Sequence, residues 1–177
     1  MDIKQLLHTV ISTDTLAHGS GEDIVGEICD SMYGVPRTQL WESFELLPRV
    51  LQDVMLMIEL DTELNMNGIL GFLENRSGRY LQETVEALQR IGAERDHELL
   101  ESIRVHWLRD EQEQGLELKS SGPEITLQVH SITSFQDRHG IDIEFIADIA
   151  QQLYVYTDRE LFVYLYDYVE AHKNELI

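Results

Sequence analysis

Basic residues are what this chain has least of relative to need: 13 Lys and Arg stand against 33 Asp and Glu, a formal net charge of −20. A surface of that sign repels phosphate backbones and anionic bilayers, which argues against direct binding of nucleic acid or membrane and favours basic partners. Cysteine is nearly missing. Cys29 is alone, so no intrachain disulfide and no thiolate metal site of two or more ligands can form, in keeping with a reducing cytoplasm. Long apolar runs are missing too: the longest, Val54 to Ile58, is far short of the ~18 residues a membrane helix needs. The opening Met1-Asp2-Ile3 has neither the basic flank nor the apolar stretch of a signal peptide, so a soluble, cytoplasmic protein is expected.

What is present is apolar residues in helical order. A hydrophobic content of 43% is that of a folded domain rather than an acidic tail, and 177 residues suffice for one core, so residues 1–177 are read as a single compact domain. Ile3, Leu6, Leu7, Val10 and Ile11 fall at helical spacing, and Asp14 to Gly21 reads as a polar connection. Ile24, Val25, Ile28, Cys29 and Met32 line one side of a second helix, with Glu22, Asp23, Glu27 and Asp30 on the other; Cys29 is then a small core hydrophobe. Thr38 is placed to cap a helix carrying Leu40, Trp41 and Phe44, and Pro48 to open the next. That next helix, with Val50, Leu51, Val54, Met55 and Ile58, is apolar nearly all round and so belongs at the centre.

It runs into Asn65-Met66-Asn67-Gly68, where two Asn and a Gly predict a sharp bend, and a second stop follows at Asn75 to Gly78. Beyond it, Tyr80, Leu81, Thr84, Val85, Leu88 and Ile91 form one helical face, with Glu86 and Arg90 paired opposite and Gly92 as a left-handed cap. Another helix starts near Asp96, and Asp110 to Gly122 reads as an exposed loop. Pro123 to Phe135 fits either helix or strand and is assigned to helix, since no partner strand is in prospect. Asp142 is placed to cap a helix through Leu153, and Asp158 to cap the last one. The expected architecture is all-α, about seven or eight helices around a central helix ending in an Asn/Gly bend.

Chemistry-bearing patterns are absent. Glu94, His97 and Glu101 have the spacing of half a carboxylate-bridged metal site, but no second Glu-x-x-His exists, and a solvated helix start explains them better. No phosphate loop, nucleophile elbow or His-Glu-x-x-His occurs, and paired acids arise by chance among 33 carboxylates. No catalytic residue, metal or cofactor is expected, and the chain is read as a binding protein rather than an enzyme.

Glu63, Asn65, Gly68, Phe72, Asn75, Ser77, Gly78 and the closing Ile91-Gly92-Ala93 fall, without a gap, on a pattern of the form Glu-Val-Asn-Asn-Gly-Gly-Phe, then Asn-Ser-Ser-Gly, then Ile-Gly-Ala. From Glu63 to Ala93 the sequence thus resembles the bacterial DNA-mimic protein family. Met66, Asn67, Ile69 and Leu73 depart from the pattern; Asn67 replaces a Gly, a mild change because Asn best tolerates positive φ. Glu63, Asn65, Asn67, Gly68, Phe72, Asn75 and Gly78 form a packing signature and include no catalytic group. What the resemblance implies is a dimeric acidic protein that sequesters a basic DNA-binding regulator.

The charge makes that implication physical. Residues 1–66 carry 12 acids and 3 bases, 67–122 carry 11 and 7, and 123–177 carry 10 and 3, so the excess is spread over the whole domain and concentrated at its two ends. Carboxylates three or four residues apart on a helix have Cβ atoms ~5–6 Å apart, comparable with neighbouring phosphates of one DNA strand. Glu22, Asp23, Glu27 and Asp30, aided by Asp142, Glu144 and Asp148, are therefore the candidate partner-binding residues. The alternatives are an acidic immunity-type protein neutralising a basic toxin or effector and, third, an enzyme without a recognisable motif.

Overall fold

The computed structural model describes residues 3–34, 37–113 and 143–176, and these are helical without a strand among them. The α-helices are α1 (Ile3–Val10), α2 (Thr13–His18), α3 (Gly21–Met32), α4 (Arg37–Glu42), α5 (Arg49–Glu74), α6 (Leu81–Arg90), α7 (Glu94–Glu113), α8 (Ile143–Ala150) and α9 (Leu161–His172). Short 3₁₀ segments lie at Phe44–Leu46, Arg76–Tyr80, Tyr154–Tyr156 and Lys173–Leu176. The region from Pro123 to Phe135 and the cap assigned to Asp142 lie outside the described residues.

The all-α expectation holds, and α5 is the axis. Every residue from Val50 to Ile58 is buried, because α3, α6, α8 and α9 all pack on this helix. At ~1.5–3 kcal/mol for each large apolar side chain removed from water, this stretch outweighs any surface interaction in the molecule. Two polar residues share it. Gln52 Nε2 donates to Leu47 O at 2.9 Å, and Asp53, fully buried, accepts from Arg90 (Nε at 3.0 and 3.2 Å, Nη2 at 2.6 Å) and from Tyr168 Oη at 2.8 Å. Asp53 thereby ties α5 to α6 and α9, the arrangement a buried carboxylate requires, since an unpaired one would cost several kcal/mol, roughly.

Several local assignments are corrected. The polar stretch after Ile11 contains α2, capped by Ser12, whose Oγ accepts from Thr15 N at 3.1 Å. Thr38 lies inside α4, which begins at Arg37, and Pro48 is the residue before α5 rather than within its first turn. The helix expected near Asp96 starts at Glu94 and runs to Glu113, beyond Asp110, because its charged residues still follow apolar Leu99, Leu100, Ile103 and Trp107 on the buried side. α8 stops at Ala150, with Leu153 buried beyond it. The last helix begins at Leu161 after Glu160, not at Asp158, and no side chain caps it. The Gly92 cap is as expected, with φ of 83°.

Candidate functional site

The bend in α5 occurs at Gly68, whose φ of 68° and ψ of −175° occupy a region essentially closed to residues with a Cβ. Asn67 stays helical; no residue other than glycine has positive φ among the described residues. Its tolerance of that conformation is therefore not what the position uses. Asn67 Nδ2 instead donates to Glu63 Oε2 at 2.8 Å, and Asn75 Nδ2 donates to the same oxygen at 2.8 Å. Ser77 Oγ donates to Glu59 Oε1 at 3.1 Å and reaches Glu63 Oε1 at 3.5 Å. Glu63 is thus a hub that folds the 3₁₀ segment Arg76–Tyr80 back on α5. The fold-back is close: a Cβ on Gly78 would overlap the Leu73 carbonyl. Asn65 Nδ2 donates to Asp61 O at 2.8 Å and Asp61 Oδ1 at 3.2 Å, while Ile69 and Phe72 are buried, as the bend was expected to achieve. Glu63, Asn67, Asn75 and Ser77 of the signature are thus brought together next to the bend, while Asn65 bonds Asp61 instead.

The acidic residues of α3 are outward. Glu22, Asp23 and Asp30 are exposed and Glu27 is half-buried, with Ser12 Oγ at 3.4 Å from Glu27 Oε2. Asp23 has a second duty: Ser20 N and Ser20 Oγ donate to its Oδ2 at 2.8 and 2.7 Å, while Ser20 Oγ accepts from Asp23 N at 3.2 Å. That reciprocal box starts α3, and the Ser20 hydrogen bonds hold the Asp23 carboxyl below its usual range. α3 packs on α9 so closely that a Cβ on Gly21 would overlap the Tyr166 carbonyl. This contact places Glu170 beside the start of α3, where its carboxyl is lowered chiefly by Lys173 and also by the Gly21 backbone. Asp167 is exposed on the same helix. Among the described residues, Glu22, Asp23, Glu27, Asp30 and Asp167 form no ion pair; Lys173, 2.7 Å from Glu170, is the one cation paired there.

Glu144 and Asp148 are exposed on α8, which packs on α7 and α5 rather than on the α3–α9 pair. Asp142 lies outside the described residues. The seven candidate acids therefore do not form one stripe. The neighbours sequence reasoning missed are Asp167 and Glu170, which α9 supplies; their signal was only that α9 bears acids opposite its apolar face.

At its C-terminal end α3 meets α5 just before the bend. Tyr33 Oη lies 2.7 Å from Thr62 Oγ1, and the Cys29 thiol is pushed up by burial and then by the nearby Asp30 and Asp61 carboxylates. Asp61 Oδ1 also accepts from Tyr154 Oη at 2.9 Å. Next to it, a groove of about 220 Å³ opens at the bend, lined by Asn67, Gly68, Ile69 and Leu70 of α5, Ala147, Ala150 and Gln151 at α8, and Tyr156.

On α6 and α7 several acids are neutralised by arginines. Arg90 serves Asp53 and, at 3.5 Å, Glu86; Arg104 lies 2.6 Å from Glu101, Arg95 lies 3.7 Å from Glu98, and Arg159 lies 2.8 Å from the buried Asp96. His97 Nδ1 lies 2.9 Å from Val85 O, and no group of three potential metal ligands occurs among the described residues. No helix among them is long and apolar enough to cross a membrane.

Comparison with known proteins gives one assignment. Residues 45–172 match the family described as DMP19-like protein, and no curated protein and no solved structure matches the chain. With most of its length matched, the chain belongs to the DMP19-like protein family.

Proposed function

We propose that this member of the DMP19-like protein family is an acidic DNA mimic: it binds a basic DNA-binding protein, a transcriptional regulator or nucleoid protein, and competes with DNA for it. The observation that carries this reading is the asymmetry of the ion pairs. Glu22, Asp23, Asp30 and Asp167 are exposed and, with the half-buried Glu27, form no ion pair among the described residues, whereas on α6 and α7 Glu86, Glu98 and Glu101 are each paired with an arginine, Glu83 and Glu94 being the exceptions. Unpaired carboxylates at helical spacing on a rigid pair of helices offer a row of negative charge to a surface built to take phosphates. The α3 backbone cannot shift easily, because the Ser20–Asp23 box fixes its start and the Gly21 contact fixes its distance from α9. No step of chemistry is required, and the protein acts by occupancy, not as an enzyme.

The test is capture of partners from the native cytosol at ~50 and ~200 mM salt, followed by competition with duplex DNA; exposed charges are screened over ~8–10 Å near the middle of this range. The expected result is a basic DNA-binding protein that is recovered at low salt, lost at high salt and displaced by duplex. Recovery of a toxin domain that DNA does not displace would replace mimicry with the immunity reading.

A further inference from the structure

The groove at the bend has features a purely electrostatic surface would not need. Three of its lining residues, Gly68, Ala147 and Ala150, are small, which leaves the space open. Its volume of about 220 Å³ exceeds the ~150 Å³ of a cavity that accepts benzene. One exposed aromatic side chain walls it: Tyr156, 43% exposed, has its hydroxyl 3.9 Å from where a Cβ on Gly68 would be.

Carboxylates surround this apolar spot. Glu144, Ala147, Asp148 and Gln151 fall at i, i+3, i+4 and i+7, so the two exposed acids of α8 lie on the face that walls the groove. On the other wall, Glu63 is bonded to the lining residue Asn67. Asp61 and Asp30 continue the acids toward α3, as their joint action on Cys29 requires. Two arginines bond Gln152, the neighbour of the lining residue Gln151, Arg95 at 2.9 Å from its Oε1 and Arg159 at 2.6 Å from its O, and each has its own carboxylate, Glu98 or Asp96. An apolar centre within a charged rim is how specific protein interfaces are built, with the centre giving affinity and the rim giving orientation.

We infer that the groove at Gly68 receives one aliphatic side chain, projecting from the basic surface of the partner protein. The charge complementarity selects that occupant: the rim repels an acidic chain, and a second copy of this protein would bring its own net charge of −20 against it. The inference rests on the acidic-mimic reading and adds what DNA itself cannot offer, a pocket that separates one basic protein from another.

The experiment uses two Lys/Arg-rich helical peptides that differ in one position, Leu in one and Ser in the other, titrated into the full-length protein at rising salt. The Leu peptide is expected to bind about tenfold or more tightly, the worth of one buried aliphatic side chain, and to keep that ratio as both affinities fall with salt. Ala147→Trp, which fills the groove, should erase the ratio; Tyr156→Ser, at an exposed wall, should shrink it even if the Trp variant folds poorly. Equal binding of the two peptides to the parent, or a ratio that survives Ala147→Trp, overturns the inference. Failure of the acidic reading looks different: the Ser peptide then binds without salt dependence while the Leu preference remains. Binding of neither peptide overturns both.

Discussion

The α6–α7 side and the α3–α9 side of the molecule carry acids in similar density and use them oppositely. On α6 and α7 each described arginine grips a carboxylate, and one of these pairs reaches inward to Asp53, so charge there serves cohesion. On α3 the carboxylates point outward and no cation answers them among the described residues, so their mutual repulsion is tolerated rather than relieved. A protein that wanted only solubility could intersperse both signs everywhere. The difference teaches that the acid excess is allocated by face, and each prediction below is a way to disturb one face and leave the other alone.

The largest effect is expected on the paired side. Arg90→Ala strips the buried Asp53 of its counter-charge and leaves only Tyr168 to satisfy it, which should lower stability by about 3–5 kcal/mol in urea unfolding. Partner affinity of the fraction still folded should be unchanged, because Arg90 and Asp53 belong to cohesion. Next comes the bend between the two sides. Gly68→Val forces a Cβ into backbone torsions that exclude it and should cost about 1–3 kcal/mol, through strain alone since no atom crowds the position closely. An unchanged melting temperature would remove the role given to that glycine.

A smaller effect is expected at the start of α3, where Ser20→Ala opens the capping box and should cost about 0.5–2 kcal/mol. The same residue explains an acid effect. Asp23, Glu86, Glu101 and Glu170 are held below their ordinary values of 3.8 and 4.5 in the folded chain, by Ser20, by Gln82 with Arg90, by Arg104 and by Lys173 respectively. Depressed carboxylates stabilise the folded state above their unfolded pKa, and that share is lost as pH falls through the folded pKa. Stability from these groups should therefore be complete at neutral pH and decline below about pH 4.5, and the decline should lessen in Ser20→Ala, as acid titration followed by circular dichroism would record.

Much of this was legible in the sequence because apolar spacing and glycines speak locally. The run from Val50 to Ile58 marked the central helix, and Asn67-Gly68 marked the bend, since both depend on residues close in the chain. What was not legible depends on distant partners. Glu63 serving Asn75 and Ser77, Asp53 buried under Arg90 and Tyr168, and Glu170 beside Gly21 each join residues that no periodicity connects. For the same reason Glu144 and Asp148 were grouped with Glu22 and Asp30, although α8 packs chiefly on α7 and α3 chiefly on α9, with α5 the neighbour they share. Asp23 looked like a plain surface acid until its bonds to Ser20 were in view.

That last point shapes the decisive measurement. Two triple reversals of equal charge change are compared, Glu22→Lys, Glu27→Lys, Asp30→Lys on α3 and Glu86→Lys, Glu98→Lys, Glu101→Lys, the arginine-paired acids of α6 and α7, with Asp23 kept so that the α3 cap survives. Affinity for the captured basic partner is measured as a function of salt for both variants and the parent. The account predicts that the α3 variant, folded by circular dichroism, loses binding and the salt slope with it, while the α6–α7 variant binds within a few-fold of the parent, the roughly uniform change expected from net charge alone. Equal losses in the two variants would mean that only total charge matters, and would contradict the division of the molecule into a cohesive face and a binding face.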